Sequence, residues 1–404
     1  MVTHKTWEKN LLIKYLCPRD FRRGEMEKKM TNALMQQVDS LKELAHAQFN
    51  TAFSNAQQVM SFTEISNIRR IYIAGLGDSY AAALGLVKLF KKYSDTYGVD
   101  VITPMHFTRF AKNNNFDKGE PNSTLMITIS NGGESSRIVE TVTKAKEMKL
   151  LTMAITNNPK SRSAKLSDKV LLMELEKVPY ATVGLRSYLT MLYNLFSFIL
   201  HFGRVRGTIS SYQEEELKNA AMQLFDEYVE NFDEFKDIAK KIANEIEDDE
   251  IIDFIGDDTS YASAYFASAK FVECLGSLIS IDDSENWCHI NAYLKSDRAI
   301  PTFIFANKYS TSYSREVDTA MQAVLMNRRV IVVGDVNQED FSEKATIIAL
   351  PECEKYSWIH NFYEYIPLSM IVAYLQEKKN TKDFCTEKHL KNATTKSSKI
   401  EIVL

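Results

Sequence analysis

Apolar and polar positions divide the chain into segments of two different periods. After Gly24 and up to residue 60 there is no glycine or proline, and Met30, Leu34, Val38, Leu41 and Leu44 recur at helical spacing. A long helix is expected there. The period then changes. The run "IRRIYIAGL" (68–76) predicts a strand, and "SYAAALGLVKLFKKY" (79–93) predicts a helix. Short β-rich runs follow, "DVITPM", "STLMITIS", "LLTMAIT" and "KVLLMEL", with helical stretches such as "ESSRIVETVTKAKEMK" between several of them. Strands alternating with helices imply parallel pairing in a layered α/β domain.

Residues 211–249 are charged and helical, and read as a connector. Beyond them the first pattern recurs. "IIDFIGDDTSYASAYFASAKFVECLG" places a strand, a polar turn and a long helix in the order already seen at 68–93. "SLISID", "IPTFIFAN", "RVIVVGD" and "TIIALPE" supply further strands. The expected fold is therefore α/β, two tandem doubly wound parallel-sheet domains of flavodoxin-like type. The expected boundaries are a helical segment over 1–60, a first domain over 61–208 and a connector over 209–249. A second domain over 250–380 and a polar tail over 381–404 complete the chain. The words "GDSYAAA" and "DTSYASA" are the closest echo between the two halves.

Composition narrows the function classes. The net charge of −4 gives no basic footprint for nucleic acid. No run of about 20 apolar residues predicts a membrane span, and the N-terminus does not read as a signal peptide. Five scattered cysteines without C-x-x-C spacing suit reduced thiols, so a cytoplasmic location is expected. The histidines form no metal-ligand motif, and no metal or organic cofactor is expected.

Two loops carry candidate chemistry. In open parallel sheets, ligands bind beyond the carboxyl ends of the strands, at the switch point in strand order. "AGLGDSY" holds Gly77, Asp78 and Ser79; "ITISNGGESS" holds Ser130, Asn131, Gly132 and Ser135. Such strand–loop–helix turns bind anions through backbone N–H groups, hydroxyls and the helix dipole. Asp78 and Ser135 could equally cap helices, and the glycines could serve only tight turns. A dinucleotide fingerprint is set aside for want of its third glycine and ribose acid. No G-x-x-x-x-G-K-[ST] motif supports a nucleoside triphosphate.

These loops resemble those of the sugar isomerase domain family. The tandem arrangement is most similar to the isomerase halves of glucosamine-6-phosphate synthases and to fructosamine-6-phosphate deglycases, over roughly residues 60–404. The resemblance implies phosphosugar binding at Gly77, Ser79, Ser130, Asn131 and Ser135. The sequence departs from that pattern at Asp78 and Gly132, and at Gly184 in "ATVGLRS", where the family carries hydroxyls. In "SYASAYFASAKFVECLGSLISIDDSENWCH" the resemblance assigns catalysis to Lys270, Glu273 and His289. The glutamate would move a proton between C1 and C2, with the lysine beside it, and the histidine would help to open the ring. In the tail, "KNATTKSSKIE" places Lys396 where a family lysine closes over the substrate. Lys270 and Glu273, three apart on a predicted helix, share a face on periodicity alone.

The implied function is isomerase or deglycase chemistry on a 6-phosphorylated ketose amine or amino sugar. No glutaminase domain is expected. The expected partners are the phosphosugar and a second copy of the chain in a homodimer with shared active sites, with neither nucleic acid nor membrane. The alternative is a non-catalytic phosphosugar-binding regulator.

Overall fold

A computed structural model describes residues 33–111, 122–179, 182–294, 299–381 and 383. Helix α1 (Ala33–Val59) and the short α2 (Phe62–Asn67) lead into the first sheet. Its units are β1 (Arg70–Ala74), α3 (Asp78–Ser94), β2 (Val99–Val101), α4 (Pro104–Phe110), β3 (Thr124–Ile129), α5 (Ser136–Glu147), β4 (Leu151–Thr156), α6 (Arg162–Leu166) and β5 (Lys169–Leu172). Helices α7 (Leu185–Arg206), α8 (Ser211–Glu230) and α9 (Phe232–Glu245) follow. The second sheet is built from β6 (Ile251–Ile255), α10 (Ser260–Leu275), β7 (Leu278–Asp282), α11 (Ser284–Asn291), β8 (Pro301–Asn307), α12 (Tyr313–Leu325), β9 (Arg329–Asp335) and β10 (Thr346–Ala349). Helix α13 (Ile366–Lys379) is the last described helix.

Both sheets are parallel throughout and five-stranded, in the orders β2-β1-β3-β4-β5 and β10-β9-β8-β6-β7. Read from the other edge, the second repeats the first strand for strand. Strand order reverses between β1 and β3 and again between β6 and β8, so each domain has its own switch point. The two tandem doubly wound domains expected from the sequence are present. Runs such as "TLMITI" and "LTMAIT" are buried along their whole length, as strands covered on both faces must be. In "DVITPM" the strand stops at Val101, because Thr103 caps α4 and Pro104 occupies its first turn.

The helices between the sheets form one shared core. Helix α7 is buried on nearly every side, which explains its almost continuous apolar sequence, and it packs on α1 and α3. The segment read as a connector is more than that. Helix α8 buries Phe225 and Tyr228, and α9 packs along α13. Between the domains, Tyr188 of α7 stacks on Phe266 of α10 with ring centroids 3.8 Å apart, and Tyr365 meets both edge-on. Such contacts contribute about 0.5–1.5 kcal/mol each beyond area burial. Helices α3 and α10 therefore meet across a fixed interface.

Candidate active site

Helices α3 and α10 run antiparallel, so the start of one meets the end of the other. Gly77, at φ +55°, turns the chain out of β1 and caps α3. The next residue, Asp78, projects from the first turn of α3 toward α10. There Lys270 Nζ donates to Asp78 Oδ1 at 2.8 Å and Oδ2 at 3.0 Å, and to Glu273 Oε2 at 2.7 Å. The Lys270 side chain is 1% exposed, Asp78 19% and Glu273 35%. The ammonium also lies 4.6 Å from the centroid of the Phe266 ring. Burial alone would lower the Lys270 pKa, but Asp78 and Glu273 outweigh it and hold the pKa above its ordinary value. Lys270 is therefore a fixed cation at neutral pH, clamped between a carboxylate from each domain. The Lys270–Glu273 pair is not the surface contact that i,i+3 spacing alone allows. Asp78 is not a helix cap, since it lies inside the helix and turns its carboxylate to Lys270.

A cavity of about 330 Å³ adjoins this cluster beyond the ends of β3, β4 and β5. Asn131 and Gly132 line it, as do Lys177, Gly184, Arg186 and Ser187. A Cβ at Gly132 would meet nothing within 4 Å, so the loop is open there. Gly133, at φ +64°, has no such room: a Cβ would come 2.2 Å from Ser161 Oγ. The Gly133 N–H bonds back to Ser130 Oγ at 3.2 Å. Ser135 stands at the start of α5 without a side-chain cap bond. Ser79 is buried, and its hydroxyl donates to Met191 Sδ at 3.5 Å. Of the first-domain residues named from sequence, Asn131 and Gly132 line the cavity. Gly77, Asp78, Ser79, Ser130 and Ser135 are not among its lining residues.

Gly184 joins the cavity to the ion cluster. A Cβ at this position would lie 2.7 Å from Ser187 Oγ and 2.8 Å from Asp78 Oδ2. Two of the three departures from the family pattern, at 78 and 184, are thus neighbours. Gly184→Ser is expected to crowd Asp78 and lower the melting temperature, and Asp78→Ser should relieve the crowding. A double-mutant cycle should show a coupling of about 1 kcal/mol or more. Additive effects would mean that the two positions do not interact.

Several contributors were not legible in the sequence. Gln37 of α1 donates to Thr182 Oγ1 and to the Val183 carbonyl, both at 2.8 Å, and so braces the cavity wall. Asp383 accepts from Thr182 Oγ1 at 2.5 Å, the Val183 N–H at 3.0 Å and Gln376 Nε2 at 2.8 Å. It also takes the Cys274 thiol, at 3.6 Å, next to Glu273. Burial first, with Asp383 adding, pushes that thiol far up, so Cys274 is no thiolate nucleophile. Lys396 lies outside the described residues. His289 on α11 is exposed, beside the exposed apolar side chains of Ile290, Tyr293 and Leu294, and not within the Asp78–Lys270–Glu273 cluster. Among the described residues no group of three or more His, Cys, Asp or Glu side chains could hold a metal ion. No described helix is long and apolar enough to cross a membrane.

Comparisons with known proteins agree with this architecture. The SIS domain family profile matches residues 64–198. The glutamine–fructose-6-phosphate aminotransferase (isomerizing) of Clostridium tetani is 28% identical over 215 residues, covering 53% of this chain and 34% of that protein. The chain thus spans about a third of the length of the curated relatives it matches. An uncharacterised HTH-type transcriptional regulator of Thermotoga maritima is 35% identical over 96 residues, 21% of this chain and 34% of its own. Among solved structures, the C-terminal domain of the Francisella tularensis glucosamine-fructose-6-phosphate aminotransferase superposes with a TM-score of 0.71. That match has 17% identity and covers 89% of this chain and 99% of that one. The SIS domain match covers the first of the two domains, and the chain is similar in sequence, and over both sheets in fold, to the isomerase part of glutamine–fructose-6-phosphate aminotransferases.

Proposed function

We propose that the chain is an isomerase or deglycase acting on a 6-phosphorylated ketose amine or amino sugar. The observation that supports this most is the placement of Glu273. Its carboxylate is partly exposed and is linked to the wall of the first-domain cavity through Lys270, Asp78 and Gly184, while Lys270 is buried and paired on both sides. A carboxylate held in this way can take a proton from one sugar carbon and return it to the next. A positioned general base of that kind contributes roughly 10²–10⁴-fold. Lys270 would act by positioning Glu273, because its Nζ already carries two carboxylates. Lys177 and Arg186, with the backbone of the Asn131–Gly132 loop, offer the phosphate opposite charge and N–H donors. An imine or carbonyl at the neighbouring carbon acidifies the C–H bond, so proton transfer through an enolamine or enediol needs no further group. Hydrolytic loss of the amine would end in a hexose phosphate.

His289 would serve a site in a second copy of the chain, since it is exposed among apolar side chains and apart from Glu273 of its own chain. The regulator reading draws on the short match to a transcriptional regulator, but a sensor has no need of a carboxylate poised on a buried lysine.

The test uses fructose 6-phosphate, glucosamine 6-phosphate and amine adducts of fructose 6-phosphate. These ligands should raise the melting temperature by mass action, and at least one should be converted, as read by mass spectrometry. Glu273→Gln and His289→Ala chains should each be nearly inactive. Mixed, they should recover about a quarter of wild-type activity, since half of the randomly formed dimers carry one intact site. Stabilisation without conversion of any compound would favour the regulator. No recovery, with chain exchange confirmed, would place both residues in one chain or remove His289 from catalysis.

A further inference from the structure

The polar side chains that line the first-domain cavity fall into two groups. Gln37, Thr182 and Asn157 are committed to the fold. Gln37 bonds Thr182 and Val183, and Thr182 bonds Asp383. Asn157 pairs with both the N–H and the carbonyl of Leu175, at 2.8 and 2.7 Å. Ser187 is not committed. It lines the cavity, and its hydroxyl has no hydrogen-bond partner among the described residues. Asn131 and Lys177 on the same wall are exposed, whereas Ser187 is 7% exposed. Nor is its oxygen sealed in the protein, unlike the neighbouring Tyr188 hydroxyl. A buried hydroxyl normally finds a partner, and here the cavity is where one can enter.

Helix spacing explains the position. Gly184 is the N-cap of α7, and Ser187, three residues on, shares its face. Ser187 Oγ stands 2.7 Å from the point that a Cβ on Gly184 would occupy. A hydroxyl is thus present beside the position where the sequence departs from the family pattern, but it comes from the next turn. Sheet order says which end of a ligand it meets. Asp78 follows β1, Asn131 follows β3 and Lys177 follows β5, in the order β1-β3-β4-β5. The β1 and β5 ends are three strand spacings apart, about 14 Å across the sheet. Ser187 belongs to the β1 end, because the same point at Gly184 is 2.8 Å from Asp78 Oδ2. A phosphate there would face a carboxylate, while at the β5 end it would meet the Lys177 ammonium. An uncharged sugar oxygen suffers no such repulsion and can accept from Ser187. It would lie on the side of Lys270 and Glu273, to which Asp78 is joined.

We propose that Ser187 is a sugar-binding residue, whose hydroxyl donates to an uncharged oxygen near the reacting carbons and not to the phosphate. The proposal rests on the phosphosugar reading of the first cavity. Its test is titration of the full-length chain with fructose 6-phosphate, glucosamine 6-phosphate and inorganic phosphate, by calorimetry and thermal shift. A phosphosugar that binds wild type should bind Ser187→Ala at least about fivefold more weakly, the order expected for one lost hydrogen bond. Inorganic phosphate should change by less than about twofold. The melting temperature without ligand should stay as it is, since the hydroxyl bonds nothing in the fold. Lys177→Met should weaken phosphate and phosphosugar alike. Equal losses of phosphate and phosphosugar in Ser187→Ala would put the hydroxyl on the phosphate and overturn the proposal. Unchanged phosphosugar binding in Ser187→Ala, with wild type binding, would overturn it and leave the reading of the first site standing. No phosphosugar binding to wild type would overturn both.

Discussion

Glu273→Gln is expected to lower turnover by roughly 10²–10⁴-fold while phosphosugar binding changes little. The substitution keeps the volume of the side chain and an oxygen that can accept from Lys270 Nζ. It removes the group that would take up the proton. The effect should therefore fall on kcat, with KM changed only a few-fold, and kcat/KM should drop in parallel, as for an interaction made only in the transition state. Thermal stability should move little, because 35% of the Glu273 side chain is open to solvent and partly exposed ion pairs contribute weakly. A kcat within threefold of wild type would remove Glu273 from the chemistry.

Lys270→Ala should have the largest effect on stability. Removing one partner of a buried ion pair typically costs about 3–5 kcal/mol, because the remaining charge is left uncompensated. Here Asp78 and Glu273 keep some contact with water, so about 3 kcal/mol is expected, read as a lower denaturant midpoint at unchanged slope. The raised Lys270 pKa sets the pH window. A cation stabilised in the folded state contributes fully below its unfolded pKa, and that contribution is lost as pH rises through its folded value. The gap between wild type and variant should stay constant through neutral pH and narrow only in strongly alkaline solution. Lys270→Met with Asp78→Asn should recover part of the loss, since a buried ion pair can be exchanged for less polar groups at little cost. A loss below 1 kcal/mol for Lys270→Ala would contradict the buried, doubly paired geometry.

Much of this architecture is written locally in the chain. Buried parallel strands appear as short apolar runs and helices as 3.6-period stripes, so "TLMITI" and the 79–93 helix could be read directly. Recurrence of one strand–turn–helix word gave the tandem repeat. The site itself depends on long-range contacts. Asp78 and Lys270 are 192 residues apart, and no local pattern announces that the start of α3 meets the end of α10. For the same reason Asp78 resembled a helix cap until its partner was in place. Gly184 looked like a missing hydroxyl, but it leaves the room that the Asp78 carboxylate occupies. Gln37 and Asp383 act by bracing residues 182–183, and nothing in their own neighbourhoods marks them. The charged exterior of 211–249 suggested a connector because charge reports the solvent face. The apolar residues Phe225 and Tyr228, which fix α8 in the core, are sparse in that stretch.

The central claim is that Glu273 moves a proton between two carbons of a 6-phosphorylated sugar. Solvent-deuterium incorporation tests it whichever product is formed. Wild type and Glu273→Gln would be incubated in D2O with fructose 6-phosphate, glucose 6-phosphate, glucosamine 6-phosphate and amine adducts of fructose 6-phosphate. Label at C1 and C2 would be followed by proton NMR and mass spectrometry. The account predicts deuterium at C1 or C2 of at least one compound with wild type, and a rate at least 100-fold lower with Glu273→Gln, the lower end of the range for a positioned base. Exchange at equal rates with both proteins, or phosphosugar binding with no exchange in any compound, would contradict it.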